Sequence, residues 1–326
     1  MAVKALGLFS GGLDSIIAAK IIKQQGIKVE LVNFTTPFFS PKNAREMAKQ
    51  VKLPLKVFDV TRDYLKILKN PKHGYGSEMN PCIDCKIFML KKAKEYAKKI
   101  GASFIFTGEV LGERPMSQNT QALKLIEKES GLKEKLLRPL SARLLPITEA
   151  EKKWINRENL LDIQGRRRDR QTGLAKEFGI RNYPRPAGGC LLTQREYACK
   201  VRDLIKNKKR ISLSDIKLLK IGRHFRIGRS KIIVGRDEKE NKELKSLRDS
   251  SDYIFEVPKV GSPIAVLQGR KTKEAISLAA SLTLHYSDSK ENKTLVKYGK
   301  KNLSKALLVS DIKSEEIKKL NITFFS

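Results

Sequence analysis

Apolar strand patterns alternate with helical patterns along the first 110 residues of this 326-residue chain. Short apolar runs typical of buried strands lie at residues 2–10, 27–34, 53–60 and 102–108, and the intervening segments carry apolar residues at helical spacing. Strands that alternate with helices form a parallel sheet with helices on both faces. Ligands bind such sheets at the carboxyl ends of the strands, which is where the polar motifs of this chain fall.

A serine- and glycine-rich sequence, SGGLDS, lies at residues 10–15 between the first strand and the first helix. Glycines let the backbone approach an anion closely, and the start of a helix offers unpaired N–H groups and a positive dipole end. Asp14 can hold Mg²⁺ against phosphates. The sequence lacks the lysine of the loop G-x-x-x-x-G-K-[ST], so we expect a different phosphate chemistry.

The S-G-G-x-D-S pattern after a first strand resembles the pyrophosphate loop of the ATP pyrophosphatase superfamily. Further stretches are similar to the tRNA 4-thiouridine synthetase (ThiI-like) branch: NFTTPFF at 33–39, PCIDCK at 81–86, TGEVLGERPMSQN at 107–119 and LLRPLS at 136–141. The resemblance covers about residues 1–195. It implies an α/β fold with a parallel Rossmann-like (adenine nucleotide alpha hydrolase) sheet.

The resemblance also implies a nucleotide site that takes ATP and Mg²⁺. The residues implied to hold pyrophosphate are Ser10, Gly11, Gly12, Asp14 and Ser15. Phe34 and the backbone of Asn33 are implied to bracket the adenine, although Phe34 also fits a core aromatic at the end of a strand. Gly108 and Gln118 are implied to contact ATP and the adenylate.

The implied activity is that of an ATP-dependent tRNA sulfurtransferase, a transferase. Such an enzyme adenylates a uridine carbonyl oxygen, releases pyrophosphate and inserts sulfur to give thiouridine. Two alternatives stay open. One is an adenylating enzyme of the same superfamily that acts on a non-RNA substrate, and the other is an RNA-binding protein without catalysis.

Three cysteines are candidates for the sulfur chemistry. Cys82 and Cys85 form a C-x-x-C motif, which precedes a predicted helix, and Cys190 follows two glycines. In one mechanism Cys190 carries a persulfide and a C-x-x-C cysteine resolves the product. In the other, all three cysteines hold a [4Fe–4S] cluster with one open iron. We favour the cluster because we expect no rhodanese segment; the sulfur donor is then free sulfide, or else a separate persulfide carrier.

A formal net charge of +32 predicts an anionic partner, and tRNA is the first candidate. The alternative is a surface on which lysine is abundant everywhere. Residues 222–244 resemble the RNA-binding domain of NFACT proteins, which implies a basic α+β domain at 212–326 after a thiolation domain at 1–195. Candidate phosphate contacts are Arg166, Arg167, Arg168, Arg223, His224, Arg226, Arg229, Lys231 and Arg236.

The sequence has no apolar run of membrane-spanning length and no signal peptide pattern. We therefore expect a cytoplasmic protein without a membrane partner.

Overall fold

The structure is a computed structural model, and it describes residues 2–184 and 190–324. The chain forms two compact units, residues 1–191 and 192–326. Within the described ranges, no helix is both long and apolar enough to cross a membrane.

The first unit alternates strands and helices as the sequence predicts. Its elements are β1 (Lys4–Leu8), α1 (Leu13–Gln24), β2 (Lys28–Thr35), α2 (Lys42–Gln50), β3 (Leu55–Asp59), α3 (Thr61–Lys69), α4 (Cys82–Lys99), β4 (Phe104–Thr107), α5 (Thr120–Ser130), β5 (Leu136–Leu137), α6 (Glu149–Lys153) and α7 (Asp169–Glu177). The strands form one parallel sheet in the order β3-β2-β1-β4-β5. The predicted parallel α/β fold is confirmed.

Both faces of this sheet are covered by apolar helix surfaces. Ile16 of α1, Met47 of α2 and Ala175 of α7 belong to the core on one face. Leu90 of α4 and Ile126 of α5 belong to the core on the other. Since β1 lies between β2 and β4, the strand order reverses beside β1, and a crevice is expected at the carboxyl ends of β1 and β4.

The second unit is built around an antiparallel sheet. Its elements are α8 (Arg195–Asn207), α9 (Leu213–Leu218), β6 (Arg223–Ile227), β7 (Ser230–Val234), α10 (Glu238–Leu247), β8 (Tyr253–Glu256), β9 (Ala265–Gln268), α11 (Lys273–His285), β10 (Lys293–Gly299), β11 (Lys305–Ser310) and α12 (Ser314–Leu320). The strand order is β11-β10-β8-β9-β7-β6. The predicted α+β class of this part is confirmed.

Two local features differ from the sequence prediction. The C-x-x-C motif occupies the first turn of α4, because this helix begins at Cys82 and not after the motif. Helix α8 lies in the interval 195–212 where the boundary between the domains was expected. It belongs to the second unit, since Asp203 of α8 pairs with Arg226 of β6.

Candidate functional site

The predicted phosphate loop forms a tight turn between β1 and α1. Gly11 has φ of 77°, and a Cβ there would lie 2.4 Å from the backbone of Asn43, so only glycine fits. The Ser15 hydroxyl donates to the Gly12 carbonyl at 2.8 Å, which fixes the turn. Gly12 is the N-cap of α1 and provides no side-chain cap. The first N–H groups of the helix therefore lack a helical acceptor and can bind an anion.

Gly108 packs directly on this loop from the end of β4. A Cβ on Gly108 would lie 2.5 Å from the backbone N and Cα of Ser15. Gln118 follows in the same stretch and is buried, and its Oε1 has no hydrogen-bond partner in the described part of the chain. A buried amide oxygen without a partner is costly, which supports a role in binding a ligand.

The side chain of Phe34 is a core residue. It is 4% exposed and stacks on Phe58 with 6.0 Å between the ring centroids. The predicted adenine contact would therefore have to come from the backbone at Phe34, not from the ring. Asn33 is also buried; its Nδ2 donates to the Phe9 carbonyl at 2.8 Å, while its Oδ1 has no partner among residues 2–184 and 190–324.

A buried ion cluster joins three of the motif stretches. Glu109, which is 2% exposed, lies 3.3 Å from Lys86 Nζ and accepts from Arg138 Nε at 3.1 Å and from Thr107 Oγ1 at 3.1 Å. Arg138 also pairs with Glu127. Burial alone would raise the pKa of Glu109, but Lys86 and Arg138 lower it to about 2. Sequence reasoning missed this cluster, although the quoted motifs contain Lys86, Glu109 and Arg138.

Asp14 lies in a second charged group, with Arg168 and Glu113. Arg168 Nη2 donates to Asp14 at 3.0 Å and to Glu113 at 2.7 Å. Burial and the neighbouring Glu113 raise the pKa of Asp14 to about 6, against the lowering effect of Arg168. Arg168 therefore pairs with the loop, whereas Arg166 and Arg167 are exposed. The role of all three in RNA binding stays a prediction.

The structure brings the three candidate cysteines together around Tyr64. The Tyr64 hydroxyl donates to the Cys85 sulfur, and Cys82 and Cys190 interact electrostatically with the same tyrosine. Asn80 Nδ2 donates to Cys82 Sγ at 3.1 Å. Burial, reinforced by Cys190, raises the pKa of Cys85 to about 12, which disfavours its thiolate.

These thiols do not form a ready metal site in this geometry. Across the described residues, no three His, Cys, Asp or Glu side chains are spaced to hold a metal ion. The predicted [4Fe–4S] ligation by Cys82, Cys85 and Cys190 thus stays a prediction. Two glycines that precede Cys190 lie outside the described residues, as does the turn predicted for them.

Several predicted phosphate contacts in the second unit prove to be structural. Arg226 donates through Nε to Asp203 at 2.8 Å, and Lys231 is buried 3.7 Å from the same carboxylate. His224 is fully buried and its Nε2 lies 2.8 Å from the Ile221 carbonyl. Burial keeps His224 and Lys231 away from phosphate, and the prediction was wrong for these two. Arg226 is partly exposed but paired with Asp203, and its RNA contact stays a prediction.

The remaining cations of this stretch are more accessible. The Arg223 guanidinium lies 4.3 Å from the centre of the Tyr286 ring. Arg236 is half exposed and pairs with Glu240 one helical turn away. Arg229 is exposed in the β6–β7 turn. These three stay candidates for RNA contacts.

Comparisons with known proteins give one family-model match in each of the two units. Residues 1–143 match the family model described as thiamine biosynthesis protein (ThiI). Residues 222–321 match the model described as NFACT protein RNA binding domain. The chain is therefore similar to ThiI over residues 1–143 and to the NFACT RNA-binding domain over residues 222–321. Both predicted resemblances are confirmed, and the second extends well beyond the stretch that suggested it.

Individual relatives agree with the family models. A probable tRNA sulfurtransferase of Methanocaldococcus jannaschii is 30% identical over 142 residues, which is 42% of this chain and 36% of the relative. A tRNA-specific 2-thiouridylase MnmA of Desulfosudis oleivorans is 30% identical over 108 residues, 31% of this chain and 30% of the relative. The chain thus spans about a third of the length of these curated relatives.

A solved structure also resembles this chain. A 4-thiouridine synthetase–RNA complex with bound ATP aligns at a TM-score of 0.36 and 20% identity, over 55% of this chain and 52% of that one.

Proposed function

We propose that this chain is an ATP-dependent tRNA sulfurtransferase. It adenylates a carbonyl oxygen of a uridine base, releases pyrophosphate and replaces the activated oxygen with sulfur. The product is thiouridine in tRNA. The observation that carries the proposal is the loop at residues 10–15, whose backbone N–H groups, lack of lysine and contact with Gly108 suit a leaving pyrophosphate.

The polar groups around the loop fit ATP and Mg²⁺. Asp14 Oδ1 is a buried carboxylate oxygen without a hydrogen-bond partner in the described part of the chain, which is the type of atom that Mg²⁺ binds. Asn33 Oδ1 and Gln118 Oε1 are also buried acceptors without a hydrogen-bond partner among the described residues. A nucleotide can supply the missing donors. Bound Mg²⁺ would supply charge neutralisation for the phosphates.

In the adenylation step, the uridine oxygen attacks the α-phosphorus and the bond to the β-phosphate oxygen breaks. Negative charge then develops on the departing pyrophosphate. The N–H groups at the start of α1 are fixed by the turn before the reaction, so they stabilise this charge without rearrangement.

The cysteine group around Tyr64 is assigned to the sulfur step. A persulfide on Cys190 can attack the activated carbon as AMP leaves, and a second thiol can then cleave the S–S bond to leave a protein disulfide and thiouridine. Cys82 suits the second role better than Cys85, because burial keeps the Cys85 thiol protonated. This step requires an external persulfide donor and a reductant.

Iron analysis distinguishes the two sulfur mechanisms. The protein is purified without oxygen, and iron and acid-labile sulfide are measured for the wild type and Cys190→Ala. About four irons per chain that the variant loses would establish a cluster with sulfide as the donor. Absence of iron after reconstitution leaves the persulfide mechanism.

The second unit is assigned to tRNA binding. Its match to an RNA-binding domain and the formal net charge of +32 support this role. The charge alone would also fit an indiscriminate basic surface, so the assignment rests on the domain match.

The proposal is tested with tRNA transcripts that lack modified bases. Pyrophosphate and AMP release from ATP is measured with and without RNA, and thiouridine is detected by mass spectrometry after a sulfur donor is added. We expect RNA-dependent release with the wild type. Asp14→Ala should abolish release and change RNA affinity by no more than a few-fold.

Two outcomes would overturn the proposal. Pyrophosphate release that no RNA stimulates would indicate a non-RNA substrate. RNA binding without any nucleotide binding or release would indicate a binding protein without catalysis.

A further inference from the structure

The phosphate loop lacks a lysine, yet a cation lies directly beside it. Arg168 comes from a segment 154 positions away and contacts Asp14 through Nη2 at 3.0 Å. Its side chain is only 19% exposed. This largely buried guanidinium lies next to the predicted phosphate site. The segment that carries Arg168 has no phosphate-binding motif, so the position of the side chain requires an explanation.

Two carboxylates fix one side of this guanidinium. Glu113 accepts from Nε at 3.1 Å and from Nη2 at 2.7 Å, while Asp14 accepts from Nη2 only. The Nη1 group has no hydrogen-bond partner among residues 2–184 and 190–324. The Arg168 guanidinium is therefore held in a fixed orientation, and its two Nη1 N–H donors remain available. The planar, forked arrangement of donors in a guanidinium matches the oxygens of a phosphate well.

The support for Arg168 is also rigid. Arg168 is the N-cap of α7, and Ala175 of α7 packs in the same core as α1. Gln171, in the first turn of α7, is fully buried. Its amide favours the charged form of Asp14, although neither amide atom completes a hydrogen bond in the described part of the chain. Unsatisfied buried groups beside Asp14 indicate a site that a ligand completes.

The net charge of Asp14, Glu113 and Arg168 is compatible with a polyphosphate that binds together with a cation. Asp14 and Glu113 together outweigh Arg168 by one negative charge, and a polyphosphate would be repelled unless a cation lies between it and Asp14. Mg²⁺ on the open Asp14 oxygen would remove this excess and leave Arg168 Nη1 to face the phosphates.

We propose that Arg168 is the phosphate-binding cation that the loop itself lacks, contacting the β- and γ-phosphate end of ATP while Glu113 orients it. The inference rests on the proposed function, since it deepens the role of the same loop. It makes Glu113 a positioning residue.

The test measures direct binding of ATP, pyrophosphate and AMP to the full chain, with RNA affinity measured in parallel. Arg168→Ala should weaken ATP and pyrophosphate binding by at least about tenfold, while AMP and RNA affinities change less than about twofold. Arg168→Lys should retain only part of the ATP and pyrophosphate affinity, because an ammonium group cannot reproduce the forked donors of a guanidinium. Glu113→Gln should weaken ATP binding less than Arg168→Ala does.

Arg170→Ala is the matched control, because it removes an exposed guanidinium two positions away that pairs with Asp162. It should bind ATP like the wild type. Equal losses of ATP and AMP in folded Arg168→Ala and Arg168→Lys would overturn the inference, as would a loss of RNA affinity alone. Failure of the wild type to bind ATP would instead overturn the proposed function. Circular dichroism establishes that each variant is folded.

Discussion

At the scale of single residues, the charge of Glu109 should matter for stability more than that of an ordinary surface carboxylate. Glu109→Gln leaves Lys86 without its carboxylate partner and leaves the buried Arg138 with Glu127 alone. Breaking a buried pair in this way costs about 3–5 kcal/mol of unfolding free energy. Urea unfolding at about pH 7 should show this loss, and the exposed Glu177→Gln should stay within about 0.5 kcal/mol of the wild type.

The Glu109 carboxylate also predicts how the free energy of unfolding changes at acid pH. The pKa of Glu109 falls from 4.5 to about 2 on folding, so the unfolded chain binds more protons between these values. The contribution of Glu109 is therefore fully present above about pH 4.5 and is lost as the pH falls toward 2. The difference in stability between the wild type and Glu109→Gln should shrink between about pH 7 and pH 3. A constant difference would contradict the assigned charge state.

Gly108 and Gly173 make a matched pair of glycines. In Gly108→Ala the new Cβ would meet the backbone of Ser15 at 2.5 Å, which must displace the loop. ATP affinity should fall by at least about tenfold. Nothing lies within 4 Å of a Cβ on Gly173, inside α7, so Gly173→Ala should keep ATP affinity and raise the unfolding free energy by up to about 1 kcal/mol. Normal ATP binding by Gly108→Ala would contradict the placement of the site.

Sequence patterns revealed the loop but not its partners. The turn at residues 10–15 is recognisable because glycine conformation and helix capping are local properties. The pairs Arg168–Asp14 and Arg138–Glu109 join residues that are far apart in sequence, 154 and 29 positions respectively. Local patterns carry no information on such contacts, so Arg168 was assigned to RNA.

At the scale of elements, α8 should stabilise the second unit through Asp203. Asp203→Asn removes the carboxylate that faces Arg226 and the buried Lys231, and we expect a loss of about 3–5 kcal/mol. Adding Lys231→Met should recover part of this loss, because it removes the unpaired buried charge. The exposed Glu196→Gln on the same helix should cost less than about 1 kcal/mol. Denaturant unfolding of all four proteins tests the coupling.

Lys231 also makes the stability of the second unit depend on pH in the alkaline range. Burial lowers the pKa of Lys231 from 10.5 to about 8, despite the opposing effect of Asp203. Between these values the unfolded chain binds more protons, so the contribution of Lys231 to stability rises with pH across this window. Lys231→Met should flatten the stability profile over this range, and an unchanged slope would contradict the burial of the amine.

The elements that sequence reasoning predicted well are those with one clear apolar pattern. Strands β1 to β4 lie within a few residues of their predicted positions, and helices occupy the segments between them as predicted. The C-terminal strands β10 and β11 are not predicted from the sequence, because this segment is basic and mixed and apolar residues occur on both faces of the strands. Leu295 and Leu308 are exposed and face each other in register, while Val296 and Val309 are buried. Such strands show no clean alternation.

At the scale of the whole molecule, the question is whether RNA binding uses a defined surface or the general excess of positive charge. Arg166 and Arg167 are exposed next to Arg168 and hence lie at the edge of the sheet that carries the phosphate loop. Lys98 and Lys99 are also exposed but lie at the end of α4, just before β4 begins and so at the opposite edge. Each pair carries two positive charges.

Replacing each pair by alanine therefore separates position from charge. For the wild type, tRNA affinity should fall steeply with salt, because each phosphate contact releases bound counterions. Loss of two phosphate contacts in Arg166→Ala/Arg167→Ala should lower the slope of log K against log salt by about 1.4–1.8 in magnitude. Lys98→Ala/Lys99→Ala should leave the slope within error of the wild type. Equal shifts in both variants would mean that RNA responds only to the net charge of +32, and the predicted tRNA contact at this edge would be wrong.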